Sequence, residues 1–142
     1  GRAREAGAGR LVTGGERVGS HLSDGFYIKP TVFADVDPHS EIAQNEVFGP
    51  VLLIQRFQDE QEAIALANAT NYGLGGYIQT NDLARAHRVA AVLRTGYVHL
   101  NGTRNIPAWA PFGGQGLSGF GKEGGRPGLD EFIRLKTVSM PV

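Results

Sequence analysis

Residues 51 to 100 alternate between two periodicities, and that alternation limits the fold more than any other feature. Val51 to Phe57 is a mostly apolar run of strand character. Asp59 and Glu62 then have the spacing of a capping box, and Ala63, Ile64 and Ala67 give the following helix an apolar face. Leu74 to Ile78 reads as a second strand. Asn81 or Asp82 caps a second helix, with Leu83, Ala86, Ala90 and Leu93 on one side. Gly96 follows where a left-handed C-cap is expected, and Tyr97 to Leu100 is a third strand. Strand–helix–strand–helix–strand with short links means an α/β fold with a parallel-sheet β-α-β-α-β core joined by right-handed crossovers. Within the third strand His99 alternates with Val98 and Leu100, so it points to the opposite face.

The flanks are less regular. Residues 1–10 resemble the end of a helix broken by Gly7 and Gly9, and Leu11-Val12-Thr13 a short strand closed by Gly14-Gly15. Phe26 to Phe33 is rich in aromatic and β-branched residues, and Pro30 makes it an edge strand or a two-piece one. Pro127-Gly128 leads into a short helix over Leu129 to Ile133, and Lys136 to Met140 reads as a final strand. The 142 residues are one domain's worth of material, with no internal repeat and no linker between two domains. A domain of this size can bury about two-thirds of its unfolded surface, so a substantial core is expected.

Charge and composition remove several functions. Fourteen basic residues offset fourteen acidic ones, which argues against a nucleic-acid footprint or a polybasic membrane patch. The absence of cysteine excludes a disulfide scaffold, a thiolate metal site and a catalytic thiol within this chain. His21, His39, His87 and His99 lack metal-ligand spacing, so no metal is expected. The longest aliphatic run, Val51 to Ile54, is far shorter than the roughly 20 residues that cross a bilayer. No hydrophobic signal core follows the first arginines, and a cytoplasmic protein is the expectation.

Glycine is in excess, 21 of 142, and eight of these fall between Gly113 and Gly128. Gly114 to Gly119 and Gly119 to Gly124 both match G-x-G-x-x-G. A dinucleotide fingerprint must follow a buried strand and open a helix. Here Ile106 to Pro111 precedes it, with two prolines, so the context fails. Gly116 to Glu123 falls one residue short of a phosphate loop, because Glu123 stands where a magnesium-binding hydroxyl belongs.

Four further segments carry a resemblance. Glu46-Val47-Phe48-Gly49-Pro50-Val51 resembles the E-[IV]-F-G-P-V element of the NAD(P)-dependent aldehyde dehydrogenases. Gly25 to Val32 is similar to the family's G-[YF]-[FY]-x-x-P-T-[VL] strand, and Asn71-Tyr72-Gly73-Leu74 to the end of its N-x-x-x-Y-G-L element. Pro111-Phe112-Gly113-Gly114, Ser118-Gly119 and Gly121 to Gly124 resemble P-F-G-G-x-K-x-S-G-x-G-[RK]-E-x-G, with Gly116 in place of the family's lysine. All four occur in the family's order. The resemblance implies an oxidoreductase that oxidises an aldehyde through a cysteine thiolate, a thiohemiacetal that gives hydride to NAD or NADP, and a thioester that water hydrolyses. The family's cysteine, general base and phosphate-binding half precede the matched region. The chain therefore resembles the C-terminal part of the catalytic domain over residues 1–134, followed by an oligomerisation strand over 135–142.

Site residues follow from the same resemblance. It gives Glu46 the nicotinamide-ribose hydroxyls and sets Phe48 against the nicotinamide ring; taken alone these residues would be a surface carboxylate and a core aromatic. Phe112 lines the aldehyde tunnel, with Ile106 and Trp109 in the variable loop that shapes it. Three apolar groups suit an apolar or aromatic aldehyde, and Arg104 or Asn105 could receive a polar tail. Glu123 is either a proton relay near the general base, or the partner of a salt bridge or a helix cap. The terminal strand implies a homo-oligomer. Gly1-Arg2-Ala3 does not read as a natural start, which favours a piece of an enzyme over the alternative, a non-catalytic relic acting as a binding or assembly module.

Overall fold

A computed structural model of the protein describes residues 1–102 and 105–141. The chain divides into two compact units, Gly1–Thr70 and Asn71–Val142. The division falls in Asn68-Ala69-Thr70-Asn71, which no proline or glycine marks.

The first unit runs α1 (Arg2–Glu5), β1 (Arg10–Thr13), a 3₁₀ turn (Ser20–Leu22), β2 (Thr31–Ala34), α2 (Glu41–Gln44), β3 (Val51–Ile54) and α3 (Glu60–Ala67). Its sheet has the order β1-β2-β3. β2 lies antiparallel to β1 and parallel to β3, with Thr31 opposite Val51 and Ala34 opposite Ile54. The segment around Pro30 is the two-piece form. Ile28 makes an isolated bridge with Arg17, and the strand that follows the proline is central, not an edge. Pro30 stands just before the strand, so its missing N–H removes no ladder bond. Thr31 is buried with its hydroxyl satisfied, accepting from Gly15 N–H (2.8 Å) and donating to the Lys29 carbonyl (2.8 Å). Ala8, Phe33, Ala34 and Val36 are buried with it. Asp35 turns the chain out of β2 at φ 53°, and its carboxylate pairs with Arg10 (3.2 Å) and Arg56 (2.8 Å). A short polar side chain tolerates that left-handed backbone better than most.

The second unit contains β4 (Gly75–Ile78), α4 (Leu83–Val92), β5 (Tyr97–Leu100) and α5 (Gly125–Asp130). β4 and β5 are parallel, with α4 between them in sequence and Ala86 of α4 fully buried. The three strands expected between 51 and 100 are all present, but they do not share one parallel sheet as expected: β3 pairs in parallel with β2, and β4 with β5, because β3 finds its hydrogen-bonding edge on β2.

Some local expectations change. Asp82, not Asn81, caps α4 by accepting from the Arg85 N–H (2.9 Å). In α3, Leu66 is half-buried and Ala67 exposed. Gly96 is not a left-handed cap, because α4 ends at Val92 and leaves through an extended Leu93 (φ −70°, ψ 130°). Gly96 is needed instead for close approach, since a Cβ there would run into the Gly113 carbonyl. α5 begins at Gly125, earlier than expected, with Pro127 in its first turn, where an N–H has no intrahelical partner. Residues 134–141 carry no strand; a strand needs a hydrogen-bonded neighbour, and the described residues provide none. The core is also smaller than the chain length suggests. Leu52 and Ile54 of β3, Leu74 and Val92 remain exposed, because sheets of three and two short strands leave faces uncovered.

Candidate functional site

In the second unit, β5 presents Tyr97 and His99 on one face, as its two-residue period requires. The parallel register sets Tyr77 opposite His99. The rings of Tyr77 and His99 stack (5.4 Å, 22°), and Tyr97 meets His99 edge-on (5.3 Å, 74°). The Tyr77 and Tyr97 hydroxyls lie 3.3 Å apart. That hydrogen bond, with burial and the nearby Tyr77 charge adding to it, raises the Tyr97 hydroxyl above its ordinary pKa. Phe112 extends the cluster, 5.4 Å from Tyr97.

Together these rings form one wall of an open cavity of about 820 Å³. Asn105, Ile106, Pro107, Ala108, Ala110, Glu123 and Gly124 complete its lining. Phe112 and Glu123 are joined by two reciprocal backbone bonds, Phe112 N–H to the Glu123 carbonyl (2.7 Å) and Glu123 N–H to the Phe112 carbonyl (2.8 Å). Residues paired in this way put their side chains on one side of the ladder. The apolar wall and the carboxylate are thus set by one piece of backbone. Gly125 N–H to the Ala108 carbonyl (2.9 Å) ties the preceding arch to the same segment.

The glycine tract is a stitched loop, and no strand immediately precedes it among the described residues. Gly116 has φ 58° and bridges to Tyr72. Gln115 N–H and Leu117 N–H donate to the Gly73 and Asn71 carbonyls (both 2.9 Å), and Gly73 N–H donates to Ser118 Oγ (3.0 Å). Two separate sequence motifs, around Asn71-Tyr72-Gly73 and Pro111 to Gly124, therefore meet in space.

In the first unit, Glu46 and Phe48 occupy the turn between α2 and β3. The Glu46 carboxylate is exposed and makes no hydrogen bond or ion pair among the described residues. The Phe48 ring is 96% exposed. An unengaged carboxylate can accept from two vicinal hydroxyls at once, and an uncovered ring can lie against a planar group.

Of the residues singled out from the sequence, Ile106, Phe112 and Glu123 come together at the cavity, and so does Asn105. Trp109 is on the same arch but does not line the cavity and is exposed. Arg104 lies outside the described residues. Tyr77, Tyr97 and His99 were not anticipated as lining. The alternation within Tyr97 to Leu100 held the signal for two of them, since it puts Tyr97 on the face assigned to His99. No group of three or more potential metal ligands occurs among the described residues. No helix there is long and apolar enough to cross a membrane.

Comparison with known proteins gives the family. The family model described as the aldehyde dehydrogenase family matches residues 2–138. A betaine aldehyde dehydrogenase of Cereibacter sphaeroides is 48% identical over 133 residues, which cover 94% of this chain and 27% of that protein. HpcC from Thermus thermophilus superposes with a TM-score of 0.90 at 46% identity, covering 99% of this chain and 28% of its own. An aldehyde dehydrogenase of Mycobacterium tuberculosis, solved with NAD+, gives 0.87 at 43% identity, covering 98% of this chain and 28% of its own. The chain thus spans little more than a quarter of the relatives it matches, and over nearly all of its own length it belongs to the aldehyde dehydrogenase family.

Proposed function

We propose that this chain is the C-terminal part of an NAD-dependent aldehyde dehydrogenase that oxidises an aldehyde to a carboxylic acid. The observation that carries this reading is the Phe112–Glu123 pair, which presents an apolar wall and a carboxylate side by side at the cavity. Phe112 and Ile106 bound the aldehyde channel, with Trp109 at its outer edge, and their apolar character favours an apolar or aromatic aldehyde. The exposed amide of Asn105 is available to a polar group on the substrate. Glu123 holds or passes a proton for the water that releases the acid. Glu46 binds the nicotinamide ribose and Phe48 restrains the ring, a proximity effect. When bound, the nicotinamide is the hydride acceptor. NAD is favoured over NADP because the Mycobacterium tuberculosis neighbour carries NAD+. The nucleophilic thiol comes from sequence outside this chain, which has no cysteine. We further propose a cytoplasmic homo-oligomer in which residues 135–142 become a strand by pairing with a neighbouring subunit.

The test compares the 142-residue chain with a longer polypeptide that contains it and a cysteine nucleophile, each given NAD and a panel of aldehydes. The chain alone forms no NADH, and the longer polypeptide does. Steady NADH from the pure chain refutes the assigned division of labour. Absence of turnover by the longer polypeptide with every aldehyde and either cofactor refutes the enzyme reading and leaves an assembly module.

A further inference from the structure

We infer that Lys122 is a positioning residue, whose ammonium clamps the loop that sets Phe112 and Glu123 at the cavity. Its Nζ donates to two consecutive carbonyls, those of Gly113 (2.9 Å) and Gly114 (2.9 Å). Both carbonyls belong to the stretch just after Phe112, and Lys122 itself just precedes Glu123. The clamp and the two reciprocal bonds of the Phe112–Glu123 pair therefore cross the same neck of backbone, one residue apart. The lysine stem lies close over this turn: a Cβ on Gly113 would come within 3.0 Å of Lys122 Cδ. A Cβ on Gly113 would meet the Gly121 carbonyl as well as the lysine stem, so the backbone and Lys122 together leave no room for a side chain there. Hydrogen bonds from a charged donor are stronger than neutral ones, and Lys122 is only half-exposed, which limits competition from water. An ammonium has three donors and no acceptor, so one group can hold two carbonyls that an apolar side chain would leave unpaired. Lys122 acts on the site through Phe112 and Glu123 and does not line the cavity.

This inference deepens the proposed function and rests on it for its kinetic arm. In the longer polypeptide, Lys122→Met removes both bonds while keeping most of the stem, and Lys122→Arg keeps a cationic donor. Lys122→Met is expected to raise the aldehyde KM about tenfold, the scale of one lost charge-assisted bond. The NAD KM stays unchanged, and Lys122→Arg returns the aldehyde KM to within about threefold of the parent, since more than one donor survives. An unchanged aldehyde KM in Lys122→Met overturns the inference. So does an equal loss of aldehyde and NAD binding that Lys122→Arg fails to rescue, because that marks a purely structural residue. A second measurement on the 142-residue chain needs no turnover. Amide exchange at Phe112 and Glu123 is expected to quicken in Lys122→Met while that at Gln115 and Leu117, bonded to the Asn71–Gly73 segment, does not. Equal exchange at Phe112 and Glu123 in parent and variant overturns the clamp even if the longer polypeptide oxidises no aldehyde. If Lys122→Met does not fold, Lys122→Gln is used for both measurements under the same criteria.

Discussion

At the scale of single residues, close approach matters more here than conformational freedom. Gly96 has no left-handed backbone to justify it, yet its α-hydrogen faces the Gly113 carbonyl, and any Cβ would overlap that oxygen. Gly96 N–H also donates to the Gly73 carbonyl (3.0 Å), so the backbone cannot retreat without losing a bond. Gly96→Ala should therefore destabilise the second unit by about 1–3 kcal/mol, the usual cost of overpacking. Urea unfolding of the chain would register this as a lower midpoint at unchanged slope. Glu46→Gln bears on chemistry instead. In the longer polypeptide it should weaken productive cofactor positioning by at most about 1.5–3 kcal/mol, the range for a hydrogen bond to a charged group. Single-turnover kinetics should show hydride transfer slowed more than thioester hydrolysis. An unchanged hydride step would mean that Glu46 is an ordinary surface residue.

At the scale of elements, α3 and α4 start at side-chain caps. Asp59 caps α3 by accepting from Glu62 N–H (2.9 Å). The reciprocal half of the expected box is displaced by one residue: Glu62 accepts from Gln58 N–H (2.6 Å) rather than from the cap itself. Replacing Asp59 or Asp82 by alanine should cost about 1 kcal/mol each, read as a lower unfolding midpoint. The β4–β5 pair carries a pH-dependent term through Tyr97, whose pKa is raised from its ordinary 10.0 chiefly by the Tyr77 hydroxyl. A raised folded-state value stabilises fully below the unfolded pKa and is lost as pH rises through the folded one. The parent should therefore outlast Tyr77→Phe at neutral pH, with the gap closing above about pH 10. Unfolding midpoints across alkaline pH would test this, and a gap independent of pH would rule out the hydroxyl pair as its source.

At the scale of the whole molecule, uncovered apolar surface dominates. Phe26, Phe48, Phe120, Phe132 and Leu135 stand largely in solvent, and Val138 and Met140 join them at the C-terminus. Large apolar side chains left in solvent favour association, because pairing such surface removes it from water. The chain should associate at micromolar concentration, and light scattering on the full chain and on one ending at Leu135 separates the causes. Weaker association of the shortened chain assigns the contact to the terminal segment, as an unpaired strand edge would act. Equal association assigns it to the remaining exposed faces. Two monomers would contradict both.

The sequence alone determined the strands and helices between 51 and 100, the Asp59 cap and the family, because each rests on short-range periodicity or on contiguous motifs. It also separated the glycine tract from a dinucleotide fingerprint, since prolines before the tract are visible locally. Tertiary structure alone decided the rest. That the strands form two sheets depends on which edges meet. That Gly96 answers to Gly113, Ser118 to Gly73 and Lys122 to two carbonyls depends on contacts between segments distant in the chain. The ring cluster of Tyr77, Tyr97, His99 and Phe112 likewise joins four positions from three segments. No single one of these segments carries a pattern for that cavity wall, because a wall is made by the register of β4 against β5 and by the loop docked beside them, and register is fixed only when the chain closes.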